Sequence, residues 1–358
     1  MGWLALCPSH GDNVDNFQYH ILFQEDVEYL GAKILAYNFG LSYIDISNNV
    51  LPGAYRNGEI LKIFDSLRRA GYFNAATLQR LRDPDKHFLL QRSGNEWQLT
   101  EANYASTLLR PDVREFTYPN PFQAQTPMIR IEHRHRPEPY DSPKGIDLLL
   151  LDDKQPVKAE TVRTFAQPLD LSKHLGLGVW IYGDGGGQRV NIRIESSPHL
   201  VSGFTDHIVN IDFTGWRYFA LAEADNGMYP SKNGHVYEEY RQTVHFNSIS
   251  KVTLQIEGDL TNLRFRTVRA LPLTTTFLVD PALETNEAKI TFKGKIRNGH
   301  YMEYMPGGRA VVYDAVGNEV NEMQPDIPSF SIPAGNTSLI FSNAADPASV
   351  RITLRTVL

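Results

Sequence analysis

The stretch LGVWIYGDGGGQRVNIRIE, residues 177–195, decides the fold of the middle of the chain. Apolar and polar residues alternate on both sides of a glycine-rich segment, which is the period-two pattern of β-strands. We therefore predict strands at 177–183 and 189–195, joined by a hairpin turn in which glycine supplies positive φ angles. A phosphate-binding loop would need a helix behind these glycines, whereas RVNIRIE is typical of a strand.

Further short strands surround this stretch on both sides. Between residues 146 and 270, alternation predicts strands at 146–151, 207–213, 217–222, 251–257 and 263–269. A second group is predicted at 276–279, 288–293, 300–304, 309–314, 328–332, 337–341 and 350–356. Many short strands with glycine-rich turns are typical of β-sandwiches and jelly rolls. We expect a mainly β protein, with a small β connector at 86–145, a jelly roll at 146–271 and a smaller β-sandwich at 272–358.

The first 85 residues follow a different pattern. Apolar runs predict strands at 2–6 and 41–46, and helical spacing predicts helices at 24–39 and 58–70, with a short helix near 74–82. Alternation of strands and helices indicates parallel βα units. Two such units leave sheet edges unpaired. We therefore predict that this α/β segment docks onto the β domains or forms an oligomer.

Composition limits the function classes. The 358 residues suggest two or three domains at about 150 residues each. A net charge of −6 argues against a nucleic-acid partner, and no run approaches the roughly 18 apolar residues that cross a membrane. The single cysteine, Cys7, excludes a disulfide framework. The start of the chain lacks a signal-peptide pattern, so either the protein is cytoplasmic or an export signal lies outside this chain.

Three stretches carry a family resemblance: LDLSKHLGLGVWIYGDGGG (169–187), DHIVNIDFTGWRYFALAE (206–223) and FNSISKVTLQIEG (246–258). In order and spacing they resemble carbohydrate-binding modules of the galactose-binding-like jelly-roll class, most of all the family-11 modules. The tail, PAGNTSLIF and VRITL, resembles the β-modules that close large bacterial glycan-degrading enzymes. Residues 1–85 resemble the last two βα units of a glycoside hydrolase (β/α)8 barrel.

The whole chain is thus similar to the C-terminal region of a multidomain bacterial glycoside hydrolase. Compared with an intact enzyme, roughly six βα units are missing ahead of Met1. If the chain belongs to a larger exported enzyme, we expect a secreted or cell-surface location.

The resemblance implies that the chain binds polysaccharide, and aromatic rings suit that task because they stack on the apolar face of a sugar. Trp180 and Trp216 share strand faces with two tyrosines, but core packing is the interpretation we favour for both tryptophans. The candidate sugar-binding residues are Tyr182 and Tyr218 on strands, and Tyr229, Tyr237 and Tyr240 in the polar stretch NGMYPSKNGHVYEEY.

Catalytic and metal-binding candidates are fewer. Asp45, in the strand at 41–46, is the one carboxylate that we expect to point into a barrel mouth. Glycoside hydrolysis needs two carboxyl groups, so we predict no glycosidase activity for this chain alone. No cofactor is predicted except a structural calcium ion, with oxygen ligands from Asp184 and Asp206. His133 and His135 face the same side of a strand, which is an acceptable spacing for a metal pair. No third ligand follows in a recognisable pattern, and Arg134 and Arg136 would add like charge, so we expect surface histidines.

Three functions remain open at this level. The leading one is a carbohydrate-binding accessory region of a glycoside hydrolase. The first alternative is a glycoside hydrolase whose barrel is completed by sequence or by a partner not shown. The second alternative is a structural β-module of a cell surface or a virion.

Overall fold

The structure is a computed structural model that describes residues 23–40, 52–196, 203–222, 244, 246–314, 317–326 and 330–358, with side chains from residue 56 onwards in the second range. The strands predicted at 2–6 and 41–46 lie outside the described residues. The same holds for Asp45, Tyr229, Tyr237 and Tyr240.

The described chain is mainly β, which confirms the prediction from alternation. Its helices are α1 (Gln24–Tyr37), α2 (Pro52–Arg69) and α3 (Ala75–Arg80). Its strands are β1 (His87–Ser93), β2 (Glu96–Leu109), β3 (Glu115–Asn120), β4 (Met128–His133), β5 (Arg136–Pro137), β6 (Ile146–Leu149), β7 (Glu160–Leu169), β8 (Gly176–Asp184), β9 (Arg189–Ser196), β10 (Phe204–Asn210), β11 (Thr214–Leu221), β12 (Ile249–Glu257), β13 (Arg264–Phe265), β14 (Val268–Leu271), β15 (Leu273–Thr274), β16 (Phe277–Val279), β17 (Ala282–Glu284), β18 (Lys289–Lys293), β19 (Lys295–Arg297), β20 (Tyr301–Tyr304), β21 (Ala310–Tyr313), β22 (Glu319–Asp326), β23 (Gly335–Ser342) and β24 (Val350–Val357).

The chain divides into two compact units, and the second interrupts the first in sequence. Met1–Arg134 and Phe277–Leu358 together form one unit, which we call the split unit. His135–Thr276 forms the other, which we call the inserted unit. These units differ from the domains expected from the sequence, which had boundaries at residues 85, 145 and 271. The reason is that β2 and β4 both pair directly with β24, far away in sequence.

An antiparallel sheet of eleven strands dominates the split unit, in the order β1-β2-β24-β4-β20-β21-β22-β18-β17-β23-β3. The sheet curls, so that its last strand returns towards its beginning. Tyr118 on β3 shows this, because its hydroxyl donates to the Asn103 carbonyl on β2 at 2.9 Å and lies 3.0 Å from the Thr356 hydroxyl on β24. The apolar core is enclosed by the curl and includes Ile131, Phe292 and Leu354.

Helices α1 and α2 lie where helical spacing predicts them, although α2 begins six residues earlier, at Pro52. Helix α1 docks on the large sheet through buried ion pairs. The Glu25 and Glu28 carboxylates each lie 2.6 Å from a guanidinium, of Arg130 and of Arg355 respectively. The acids of this helix therefore bind sheet arginines, beyond any role at the helix dipole. The end of a (β/α)8 barrel is not shown by the described residues.

The inserted unit is a β-sandwich of two antiparallel sheets. One sheet has the order β10-β9-β12-β7, and the other has the order β11-β8-β14-β6, with β13 also paired to β8. Side chains that alternate inward from both sheets form one core, including Val179 and Ile181 from one sheet and Ile192 and Leu254 from the other. This arrangement confirms the β-sandwich predicted for the middle of the chain.

The glycine-rich segment between β8 and β9 does take up positive φ angles, at 74° for Gly185 and 76° for Gly187. The expected hairpin is wrong, however, because β8 and β9 lie in different sheets of the sandwich. The segment carries the chain from one sheet to the other. Backbone hydrogen bonds from Gly187 to Ile211 and from Ile211 to Gln188, at 3.0 and 2.8 Å, hold this corner.

Within the described ranges, no helix is long and apolar enough to cross a membrane.

Candidate functional site

The outer face of the five-stranded sheet in the inserted unit carries aromatic side chains. Antiparallel pairing of β8 with β11 places Tyr182 opposite Trp216 and Trp180 opposite Tyr218. Because successive residues of a strand point to opposite faces, the burial of Val179 and Ile181 in the core turns Trp180 and Tyr182 outward. Paired residues share a face, so all four rings lie on the same side of the sheet.

Ring packing orders this face. The Tyr182 and Trp216 ring centroids lie 5.6 Å apart at 71°, an edge-to-face arrangement. Arg266 lies over the Trp216 ring, with its guanidinium carbon 4.9 Å from the ring centroid. The indole is thus held by neighbours and is still 38% exposed. An exposed tryptophan that is held in place is a suitable platform for a ligand.

A cavity of about 630 Å³ opens beside these two rings. We call it the aromatic cleft, and its lining residues are Asp153, Lys154, Tyr182, Gly183, Asp184, Thr214, Trp216, Asn262 and Arg264. Its volume falls within the roughly 300–1,000 Å³ that is common for small-ligand sites. Two aromatic side chains and a ring of polar groups form the lining, which suits a ligand with one apolar face and many hydroxyls.

The two carboxylates of the aromatic cleft are both engaged by the protein. Asp153 accepts a hydrogen bond from the Arg266 guanidinium at 3.0 Å. Asp184 accepts one from the Gln188 amide at 3.0 Å and one from the Gly186 N–H at 2.9 Å. The bonds from Gln188 and Gly186 lower the pKa of Asp184, so this group stays ionised.

Tyr218 lies next to the aromatic cleft but is not part of its lining. Its ring packs against Trp180 at 5.5 Å and against Tyr140 at 6.0 Å between centroids. Its buried hydroxyl has no hydrogen-bond partner among the described residues. Burial raises the pKa of Tyr218 to about 12. Of the two strand tyrosines that alternation selects, the structure therefore brings only Tyr182 to the cleft.

The two aspartates predicted to hold calcium are not brought together. Asp184 ends β8 in one sheet, whereas Asp206 lies on β10 in the other. Asp206 is bound at both oxygens by the Arg193 guanidinium, at 2.8 and 2.9 Å. Over the described part of the chain, no three His, Cys, Asp or Glu side chains are grouped to hold a metal ion.

The histidine predicted to lie at the surface of β4 is buried in the split unit. His133 is 2% exposed, and its Nδ1 lies 2.9 Å from the Ile296 carbonyl oxygen. This contact gives the ring a structural role in the core.

Sequence reasoning missed several residues of the aromatic cleft. Trp216 was expected in the core, yet the structure exposes it. Asp153, Lys154 and Asn262 come from loops, which leave no periodic signal. Arg264 could have been found, because Arg264 and Arg266 alternate with the buried Phe265 and so share the outer face.

In comparisons with protein-family models, curated protein sequences and solved structures, nothing matches this chain.

Proposed function

We propose that the inserted unit is a carbohydrate-binding domain that holds a polysaccharide in the aromatic cleft. The observation that carries this proposal is the aromatic pair of Trp216 and Tyr182 at the wall of a polar cavity. The two rings hold each other in an edge-to-face contact, and the Trp216 ring is exposed. A sugar ring has an apolar C–H face that stacks on an aromatic ring. Its hydroxyls need hydrogen-bond partners, which Asn262, Thr214 and Asp184 supply around that wall.

The cleft favours binding over bond cleavage. A glycoside hydrolase needs a carboxylic acid with a raised pKa to protonate the leaving group, together with a second carboxylate. The pKa of Asp184 is lowered instead, and Asp153 is held by the Arg266 guanidinium. Neither group suits the general acid. We therefore expect no turnover of polysaccharide at this cleft.

The wider setting in this proposal is an accessory region of a glycoside hydrolase. It follows the resemblance of the inserted unit to family-11 jelly-roll modules and of residues 1–85 to the end of a (β/α)8 barrel. A binding domain of this kind keeps an enzyme on an insoluble substrate. Affinity is expected to be modest, because a shallow platform buries little area while a flexible glycan loses freedom on binding.

Affinity gel electrophoresis of the full chain on a panel of soluble polysaccharides tests this proposal. A polysaccharide that retards the parent should retard the Trp216→Ala variant about tenfold less, corresponding to ~1.4 kcal/mol. Phe277→Ala is the control, since Phe277 is an aromatic residue of the split unit that is 44% exposed. The control should migrate like the parent. If Trp216→Ala also migrates like the parent, the cleft is not the binding site. If no polysaccharide retards the parent, a structural β-module becomes the better account.

A further inference from the structure

Some charged side chains of the aromatic cleft are already paired within the protein, and others can still bind a ligand. Three cations, Lys154, Arg264 and Arg266, lie in or beside the cleft with two acids, Asp153 and Asp184. Both acids already accept hydrogen bonds, and Arg266 is committed to Asp153 at 3.0 Å. Lys154 and Arg264 are exposed and have no ion-pair partner among the described residues. With Arg266 paired to Asp153 and Asp184 ionised, the cleft keeps a net charge of +1, and Lys154 and Arg264 are the cations that can offer it to a ligand.

Strand register places one of these cations in line with the stacking platform. Arg264 on β13 pairs with Tyr182 on β8, and Tyr182 pairs on its other side with Trp216 on β11. Directly paired residues share a face of the sheet. Trp216, Tyr182 and Arg264 thus form a row across three strands, with about 4.8 Å between neighbours. A sugar stacked at the aromatic end of this row would reach the guanidinium with a ring substituent.

We propose that the aromatic cleft selects an acidic saccharide, with the sugar ring on Trp216 and Tyr182 and its anionic group on Arg264, assisted by Lys154. This inference rests on the proposed carbohydrate-binding function and names its ligand class. The planar guanidinium matches the two oxygens of a carboxylate or of a sulfate, with two parallel N–H···O bonds. A neutral glycan would leave the net positive charge of the cleft, three cations against two acids, without a counter-charge.

The net charge of the chain does not favour binding of polyanions, so an acidic polysaccharide would not be retained by general attraction. The chain has a net charge of −6, which repels an acidic polymer at long range. Retention of an acidic polysaccharide would therefore require a local site. Because the contact joins opposite charges near the surface, it should weaken as salt screens them.

The experiment is affinity gel electrophoresis of the full chain on three polymers. They are a polygalacturonate, the same polymer with its carboxyl groups reduced to neutral alcohols, and a sulfated galactan. We expect retention on at least one acidic polymer, and about tenfold weaker retention on the reduced polymer. Retention on the polygalacturonate assigns the anionic group to a carboxylate, and retention on the galactan alone assigns it to a sulfate.

Two variants of equal charge change locate the anion contact. Arg264→Gln should weaken retention on the acidic polymer about tenfold and remove most of its salt dependence. Arg189→Gln is the control, because Arg189 lies on β9 in the other sheet and pairs with an exposed glutamate, Glu257, at 3.7 Å. It should behave like the parent.

Contrary results separate this inference from the function on which it rests. Equal retention on the charged and reduced polymers, lost in Trp216→Ala, overturns the acidic ligand and keeps the carbohydrate site. Retention on an acidic polymer that Arg264→Gln leaves unchanged also overturns the inference. No retention on these polymers or on the neutral panel overturns both proposals together.

Discussion

Arg355→Met should destabilise the split unit by about 3 kcal/mol at neutral pH, the lower end of the usual cost of removing one partner of a buried ion pair. Arg355 on β24 is 6% exposed, and Glu28 on α1 is 1% exposed. The guanidinium Nη2 lies 2.6 Å from the Glu28 carboxylate Oε2. Without Arg355, the carboxylate keeps only the Gln24 amide at 2.9 Å and a long contact to the Leu90 N–H at 3.4 Å.

The cost has a ceiling set by protonation of Glu28. Burial raises the pKa of this carboxyl from its ordinary value of 4.5, and Arg355 opposes that rise. In the variant, the folded state can take up a proton instead of burying a bare charge. Protonation at pH 7 costs about 3.4 kcal/mol, and at pH 5 it costs about 0.7 kcal/mol. The folded pKa is raised, so stability is lost as pH rises. The penalty should therefore be large at pH 7 and small at pH 5.

The assay follows peptides of α1 and β24 by pulse-labelling hydrogen exchange along a urea series, because the two units need not unfold together. Arg309→Met is the matched control in the same unit, since the Arg309 side chain is 59% exposed and its ion pair with Glu322 should contribute at most about 1 kcal/mol. The double change Glu28→Leu with Arg355→Met should recover most of the loss. If Arg355→Met costs no more than the control, or costs the same at both pH values, Glu28 is not left as an unpaired buried charge in the variant.

Two further perturbations test the packing of each unit. His207 is 3% exposed in the inserted unit, and burial lowers its pKa to about 4. As pH falls below 6.5, the unfolded chain binds a proton at this histidine before the folded chain does. The free energy of unfolding should therefore drop by about 3 kcal/mol towards pH 4. His207→Asn should reduce this loss of stability, measured by urea unfolding at pH values between 7 and 4. If the variant loses as much stability as the parent, His207 is not the group responsible. A methyl group at Gly31 on α1 would clash with the Phe64 ring, so overpacking in Gly31→Ala should lower the free energy of unfolding by about 2 kcal/mol and lower Tm with it. Gly40→Ala meets nothing within 4 Å, and equal Tm values for the two variants would contradict this packing.

Local pattern was sufficient for most individual elements. The alternation at 177–183 became β8, and helical spacing at 24–39 became α1, because side-chain period is a property of neighbouring residues. β7 and β22 were not predicted, because a strand is visible in the sequence only where buried apolar residues alternate with polar ones. Few of their residues are buried, and in β22 only Met323 is. A strand with little contact to a core has little apolar signal to read.

Pairing between distant strands was beyond the sequence. Nothing local indicates that β2 and β4 pair with β24, or that β8 and β9 separate into two sheets. Register is decided by which apolar faces can be buried together, and that depends on the whole chain.

The candidate site divides in the same way. Alternation was enough to place Tyr182 on an outer strand face, because its neighbour Ile181 had to enter a core. Whether Trp216 is covered or exposed depends on what packs above the sheet, and only the tertiary structure decides that. The same is true of Arg264, which becomes a neighbour of Tyr182 only when β13 pairs with β8. The sequence alone determined which residue types alternate outward, and folding determined which of them share a cleft, because a binding site is assembled by contacts between residues far apart in the chain.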